Sequence, residues 1–238
     1  MEPKVIIEEW QGRHNASDYV ARLEQSKIYK DLSTICIVPT RGQIDYRVVQ
    51  NWWGIFPPMN HKFIRMFIAG MEVGAAYNFA IEQILAHPDL SNWKYVLTLE
   101  EDNLAPPDGL VKLYENIEPY GAIGGLYWTK GEGGMPMCYG SPDAIPLAFN
   151  PIIPKADDIT ECNGLGMGFT LFKLDMFKDP RVERPWFKTV QQYQPGIGSQ
   201  SYTQDLWFFQ NARKAGYKFA CDSRVKVGHL DAQSGIVW

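Results

Sequence analysis

Apolar residues in the first half of the chain form short continuous runs that alternate with stretches of helical spacing. The clearest helical stretch covers residues 73–86, where apolar side chains recur three and four positions apart. The continuous runs are typical of strands that are buried on both faces. In chain order, the predicted elements are a helix at 15–26, a strand at 34–38, a helix at about 44–53, a strand at 63–69, a helix at 73–86, a strand at 95–99, a helix at 108–117 and a strand at 121–128.

The second half of the chain has fewer periodic positions and more irregular sequence. Residues 131–158 and 185–200 are rich in glycine, proline or glutamine and predict long loops, which in compact domains are usually functional. A strand is predicted within 164–172, followed by a short helix at 174–177. A helix at 203–215 has a capping-box sequence with Ser201 as its N-cap, and two short strands are predicted around Phe219 and Val225.

The alternation of strands and helices predicts an α/β fold with a mostly parallel central sheet and helices on both faces. The chain has 238 residues, which suits one domain. We expect a nucleotide-binding half at about 33–128 and an irregular half at about 129–238 that shapes the acceptor side.

Composition narrows the function classes. The net charge of -4 argues against a nucleic-acid-binding surface over the whole protein. No apolar run approaches the ~20 residues that span a bilayer, and the acidic N-terminal sequence does not resemble a signal peptide. The four cysteines, Cys36, Cys138, Cys162 and Cys221, have no CxxC spacing and are expected to be reduced in a cytoplasmic protein.

The most informative chemistry follows the predicted strand at 95–99. Glu100, Glu101 and Asp102 come directly after it, and Pro106-Pro107 ends the segment. Ligands of open α/β sheets bind at the carboxyl ends of strands. Glu100 and Asp102 are two positions apart, so in extended backbone they project to the same side and repel unless a cation lies between them. The segment therefore predicts a divalent metal site for a phosphorylated ligand, although an acidic, solvated turn remains the alternative.

Two later residues are further candidates. Asp205 lies in the first turn of the helix at 203–215, on the same side as Phe208, Phe209 and Ala212. It either complements the helix dipole or is an inward carboxylate with a function. His229 follows a short strand near the C-terminus, and alone it would not support a metal site.

The order of these segments is more specific than any one of them. In chain order they are a strand ending in Pro39-Thr40-Arg41, a helix beginning Gly74-Ala75-Ala76-Tyr77-Asn78, the strand ending in acid-x-acid, a glycine-rich segment running into a strand and FKLDMF, a carboxylate helix ending in Ala-Gly-Tyr, and Val-Gly-His. Taken together, over roughly residues 33–231, they resemble a GT-A glycosyltransferase, closest to the family-2 type.

The resemblance implies a role for each matching position. Glu100 and Asp102 are similar to the DxD carboxylates, with Glu101 between them, and His229 is similar to the histidine that completes the shell of a Mn²⁺ or Mg²⁺ ion. Pro39, Thr40 and Arg41 resemble the loop that holds uracil and ribose. Asn78 resembles an asparagine beside the nucleotide, and Glu72 is the substitute for a missing second-strand aspartate. Asp205 resembles the general base of inverting members, in a Gln204-Asp205 pair instead of Glu-Asp.

The implied activity is transfer of a sugar from a nucleotide-sugar, in this family often a UDP-sugar, to an acceptor hydroxyl with inversion. The acceptor stays open among a glycan, a protein and a modified nucleic-acid base, the last because compact viral transferases of this sort act on such bases. Trp128, Trp186 and Tyr193 are candidate stacking surfaces. Two alternatives also stay open: a nucleotidyltransferase or sugar-nucleotide hydrolase, and a non-catalytic nucleotide- or sugar-binding module.

Overall fold

The structure, a computed structural model, describes residues 31–57, 63–196 and 198–238. The helix predicted at 15–26 lies outside these residues. Among the residues described, no helix has the length and apolar character needed to cross a bilayer.

Strands make up most of the regular structure. Within the described residues they are β1 (Thr34–Thr40), β2 (Phe63–Ala69), β3 (Tyr95–Leu99), β4 (Asn103–Leu104), β5 (Ala122–Leu126), β6 (Cys138–Tyr139), β7 (Ile159–Cys162), β8 (Gly164–Leu165), β9 (Phe169–Lys173), β10 (Val190–Gln194), β11 (Gly198–Tyr202), β12 (Phe219–Lys226) and β13 (Gly228–His229). The helices are α1 (Tyr46–Trp53), α2 (Val73–Ala86), α3 (Gly109–Asn116) and α4 (Gln204–Lys214), with 3₁₀ turns at Leu90–Asn92 and Leu174–Lys178.

The central sheet has seven strands in the order β2-β1-β3-β9-β5-β12-β7. Strands β2, β1 and β3 are parallel to one another, and β5 is parallel to β12. Strand β9 lies between the two groups and is antiparallel to both β3 and β5, so all five parallel strands run in one direction. The carboxyl ends of β1, β3, β5 and β12 therefore meet at one edge, which confirms the predicted mostly parallel α/β sheet.

Alternate residues of the central strands enter two separate cores, one on each face of the sheet. On β1, Ile35 and Ile37 pack with α2 and α4, whereas Cys36 and Val38 pack with α1 and α3. Helices thus cover both faces, as predicted.

The second half is more regular than its sequence indicates. The expected loop at 185–200 contains the antiparallel hairpin β10–β11, in which Val190 pairs with Tyr202. The hairpin is rich in polar residues and lacks the apolar alternation from which strands are predicted. The segment at 131–158 is irregular apart from β6 and two isolated bridges, one between Trp128 and Pro136 and one between Tyr139 and Pro151.

Two boundaries were predicted wrongly. Ser201 is not the N-cap of α4, because β11 continues through Tyr202 and Thr203 takes the N-cap position. The two short strands predicted around Phe219 and Val225 are one strand, β12, whose pairing with β5 shifts register between Asp222 and Lys226.

Candidate active site

The acidic segment after β3 turns sharply and is held by the C-terminal part of the chain. The amide of Asn103 donates to the carbonyl of Glu100 at 3.1 Å. Strand β4 then pairs with β13, so that Asn103 lies opposite His229, and Leu230 N donates to Asp102 O at 2.8 Å. This short ladder brings Asp102 and His229 together across more than a hundred positions of sequence.

Asp102 contacts two basic side chains. Its Oδ2 lies 2.5 Å from Lys130 Nζ and 3.5 Å from His229 Nε2. Burial raises the pKa of Asp102, but hydrogen bonding and charge from His229 and Lys130 outweigh it and bring the pKa to about 2. Asp102 is therefore ionised at neutral pH.

The orientation of His229 is fixed by its other ring nitrogen. Nδ1 lies 2.8 Å from the carbonyl oxygen of Trp128, which can only accept, so Nδ1 carries the proton. The backbone of His229 is held as well, because His229 N donates to Trp238 O and Trp238 N donates to His229 O, both at 3.0 Å. If the ring is neutral, the lone pair of Nε2 faces the negatively charged Asp102 carboxylate. These two electron-rich groups repel each other, so a proton or a cation between them is stabilising.

These two donors fit a hard divalent ion whose remaining ligands are phosphate and water oxygens. Among the described residues no three His, Cys, Asp or Glu side chains form a ready-made metal cluster. The Lys130 ammonium stands where a cation bound to Asp102 would lie. Asp102 and His229 are the residues that would hold Mn²⁺ or Mg²⁺, and the metal site stays a prediction.

Glu100 makes neither of these contacts. Burial, followed by the charges of Asp102 and Asp205, raises its pKa to about 8, although the hydroxyl of Tyr77 and the charge of Lys130 lower it. Tyr77 is fully buried, and its hydroxyl makes no hydrogen bond of ordinary geometry with the described residues. Glu100 is thus protonated in much of the population at neutral pH, and its predicted role as a metal ligand would require loss of that proton.

Asp205 lies in the first turn of α4 with only 5% of its surface exposed. Its Oδ1 accepts a hydrogen bond from Leu206 N at 2.8 Å. Burial raises the pKa of Asp205 in spite of hydrogen bonds from Thr203 and the backbone. Its charge also contributes to the raised pKa of Glu100, and the low exposure of Asp205 fits the predicted inward position.

Sequence reasoning missed a group of tyrosines and a lysine at this site. The tyrosines share a raised pKa, caused first by burial and further by the charge of Asp205; they are Tyr77, Tyr127, Tyr139 and Tyr202. Tyr127 and Lys130 follow β5 at the same sheet edge as Asp102. The sequence signals were indirect: Tyr127 lies near the end of the strand predicted at 121–128, and Lys130 begins a Lys-Gly-Glu-Gly-Gly run typical of a turn.

Glu101 points to the loop after β1. Its Oε2 accepts from Thr40 Oγ1 at 2.7 Å and from Arg41 N at 2.9 Å, and its Oε1 accepts from Arg41 Nε at 2.5 Å. Pro39 and Thr40 lie within β1, paired with Ile68 and Ala69, and not in a loop as expected, so that Arg41 is the first residue after the strand. Thr40 and Arg41 are thereby fixed beside the acidic turn, where the predicted nucleotide loop would be.

Glu72 and Asn78 use their polar groups within the protein. Glu72 is the N-cap of α2, accepting from Ala75 N at 2.9 Å, and it also accepts from Thr189 Oγ1 at 3.1 Å. Asn78 exchanges two hydrogen bonds with the backbone of Phe187, at 2.7 and 3.1 Å. Both residues tie α2 to the segment before β10, while their predicted nucleotide contacts stay predictions.

The three candidate stacking aromatics differ in exposure. Trp186 is only 2% exposed and packs against Phe177, so it belongs to the core and is not a stacking surface. Trp128, at 37%, and Tyr193, at 76%, remain accessible. Trp128 also carries the carbonyl that orients His229.

Solved structures with similarity to this fold share little of its sequence. A197 from STIV is 17% identical, with a TM-score of 0.58, covering 86% of this chain and 92% of A197. A variant of Drosophila beta1,4-galactosyltransferase 7 in complex with manganese, UDP-Gal and xylobiose is 14% identical, with a TM-score of 0.43, covering 80% of this chain and 65% of that one. For TarS 1-349 of S. aureus the identity is 10%, the TM-score 0.44 and the coverage 82% and 60%.

No protein-family model and no curated protein matches the chain. The similarity to A197 shows a shared fold and nothing about activity. The mixed seven-stranded sheet is consistent with the GT-A fold that the order of sequence motifs predicted.

Proposed function

We propose that this protein is a metal-dependent glycosyltransferase that moves a sugar from a nucleotide-sugar, with a UDP-sugar as the donor to test first, to an acceptor hydroxyl with inversion. The observation that carries the proposal is the set of groups around the turn after β3: Asp102 pairs with His229, and the charges of Asp102 and Asp205 both act on Glu100. Asp205 and His229 are more than a hundred positions from this turn in the sequence, so only the fold brings the groups together.

The donor side of the site is the Asp102–His229 pair with the loop after β1. Asp102 stays ionised and His229 presents Nε2, so both can hold Mn²⁺ or Mg²⁺ together with the diphosphate of a donor. When bound, the ion supplies Lewis-acid stabilisation of the diphosphate leaving group. Thr40 and Arg41, fixed by Glu101, border the nucleoside end of such a donor.

Asp205 is the proposed general base. An acceptor hydroxyl must lose a proton as it attacks the anomeric carbon, and a carboxylate with a raised pKa accepts that proton more readily than an ordinary surface aspartate. Attack from the side opposite the leaving diphosphate inverts the anomeric centre. The low exposure of Asp205 also keeps bulk water from the base, which limits hydrolysis of the donor.

The acceptor would approach past the β10–β11 hairpin, because this hairpin leads directly into α4 and Asp205. Tyr193 is exposed on β10, and its ring would provide a flat surface for a sugar. Acceptors of all three predicted kinds, a glycan, a protein or a modified nucleic-acid base, carry hydroxyl groups that suit this chemistry.

The first test is a thermal-shift measurement with UDP and Mn²⁺ together and with each alone. A ligand at ~100 times its dissociation constant adds about 2.7 kcal/mol to the free energy of unfolding. We expect a rise of several degrees that requires both components. A rise with a different nucleotide would change the donor, and no rise with any nucleotide would contradict the proposal in favour of a non-catalytic module.

A further inference from the structure

Lys130 lies at the tip of a tight hairpin above the acidic turn. Backbone bonds link Met137 N to Tyr127 O and Thr129 N to Met135 O, both at 2.9 Å, and Met135 N donates to Thr129 Oγ1 at 2.8 Å. The turn itself contains Gly131 and Gly133, whose φ values of 101° and 76° favour glycine. The hairpin therefore has a fixed base, and the lysine stem extends from it toward Asp102.

The ammonium of Lys130 is surrounded by carboxyl groups. It pairs with Asp102 at 2.5 Å, and its charge also lowers the pKa of Glu100 and Asp231. The lysine side chain keeps 33% of its surface exposed. It can rotate away from Asp102 without any change in the hairpin, because no part of the pair is sealed in the core.

A divalent ion and the Lys130 ammonium would compete for the same oxygen of Asp102. Two cations a few ångströms apart repel each other strongly at an effective protein dielectric, so the bound ion displaces the ammonium. The displaced group stays tethered within a side-chain length of Asp102. A donor diphosphate bound to that ion brings new negative charge to the same place.

We propose that Lys130 exchanges partners during donor binding: it neutralises Asp102 in the free protein and contacts the diphosphate once the metal and the donor are bound. This inference rests on the proposed function and names a specificity residue for it. Lys130 weakens binding of the metal alone and strengthens binding of the diphosphate nucleotide. A salt bridge that only neutralises Asp102 would weaken metal binding but would not strengthen binding of the nucleotide.

The test is calorimetric titration of the full chain and of Lys130→Gln, first with Mn²⁺ alone and then with UDP at saturating Mn²⁺. We expect the variant to bind Mn²⁺ several-fold more tightly and UDP on the order of tenfold more weakly, since a charge-assisted contact is lost. Lys130→Arg keeps the charge and should restore UDP binding. Lys112→Gln, which removes a comparable pair with Asp108 on α3, should leave both affinities unchanged.

The outcomes separate this inference from the proposed function. If the unaltered protein binds no nucleotide with Mn²⁺, the proposed function fails and the diphosphate role of Lys130 fails with it. If the protein binds Mn²⁺ and UDP but Lys130→Gln leaves both affinities unchanged, or moves both in one direction, the function stands and the partner exchange is overturned. Only opposite shifts of the two affinities support the exchange.

Discussion

Glu100 and Asp102 are two positions apart in one turn, yet the protein shifts their pKa values in opposite directions. Burial and the charges of Asp102 and Asp205 disfavour the ionised form of Glu100 and raise its pKa to about 8. Asp102 is also penalised by burial, but Lys130 and His229 lower its pKa to about 2. The neighbours of each carboxyl group, and not its residue type, decide which one is ionised at neutral pH.

Because the pKa of Glu100 is raised, the free energy of unfolding should fall as the pH rises toward about 8. The folded protein holds this proton up to about pH 8, whereas an unfolded chain releases it near 4.5, so the stabilisation is full below pH 4.5 and is lost as the pH rises to 8. The variant Glu100→Gln has no carboxyl group at this position, so its free energy of unfolding does not fall for this reason as the pH rises. We expect the free energy of unfolding of the variant, relative to that of the parent protein, to increase by a few kcal/mol between pH 4 and pH 8.5, since each pKa unit corresponds to about 1.4 kcal/mol. Melting temperatures measured at both pH values check this.

The control for this measurement is Glu118→Gln. Glu118 has 53% of its side chain exposed, so its replacement should change stability little at either pH. An equal gain for Glu100→Gln at both pH values would contradict the raised pKa.

Asp205 provides a second prediction at the scale of one residue. Asp205→Asn preserves the shape of the side chain and removes its ability to accept a proton. We expect UDP and Mn²⁺ to bind as before while turnover of a donor falls by ~10²–10⁴-fold. The measurements are the thermal shift and a rate of UDP release with acceptor, and unchanged turnover would contradict the assignment of the base.

At the scale of elements, α2 is anchored at both its first turn and its middle to the segment before β10. Asn78 bonds both backbone groups of Phe187 and also donates to Gly74 O at 2.9 Å. Phe187 is buried, so its backbone groups have no easy replacement partner in water.

We expect Asn78→Ala to lower the free energy of unfolding by about 1–3 kcal/mol, because it leaves buried backbone groups unpaired. Asn116→Ala is the matched control. Within the part of the chain that the structure describes, the side chain of Asn116 donates to Lys112 O of its own helix, at 3.1 Å, so the loss should be smaller. Denaturant unfolding measures both variants, and equal losses would argue against the anchor.

The sequence predicted those elements whose signal is local. Helix α2 and strand β3 were found with their bounds, because the spacing of apolar residues over each segment determines which surface it buries. The hairpin β10–β11 was missed because its residues are polar and its order comes from pairing. The contact between Lys130 and Asp102 spans 28 positions and depends on β5 and β3 sharing β9, which no local pattern records.

At the scale of the whole molecule, glycines of the segment at 164–168 lie directly against the side chain of Tyr127. Gly168 N donates to the Tyr127 hydroxyl at 2.9 Å, and a Cβ added to Gly166 would lie 2.1 Å from that oxygen. The glycine-rich sequence at 164–168 thus leaves room for a buried tyrosine beside Glu100. Three of the cysteines, Cys138, Cys162 and Cys221, are dispersed in the sequence but buried in one hydrophobic core.

We expect Gly166→Ala to be strongly destabilising, on the order of 2–4 kcal/mol, because the added methyl group collides with Tyr127 and overpacks the core. Gly164→Ala is the control from the same segment. Its added Cβ would lie no closer than 3.1 Å to the ring of Phe149, so a small shift accommodates it. Melting temperatures of the two variants test this, and a Gly166→Ala protein as stable as Gly164→Ala would contradict the close approach.

The position of β9 between β3 and β5 affects the order in which a nascent chain can fold. Strands β1, β2 and β3 can pair as soon as residue 99 has left the ribosome, but β3 and β5 have no common neighbour until residues 169–173 arrive between them. His229 comes after β12 in the chain, and β12 pairs with β5. A nascent chain therefore carries its acidic turn without its histidine until residue 229 has been made, so the Asp102–His229 pair forms later than the pairing of β1, β2 and β3 allows.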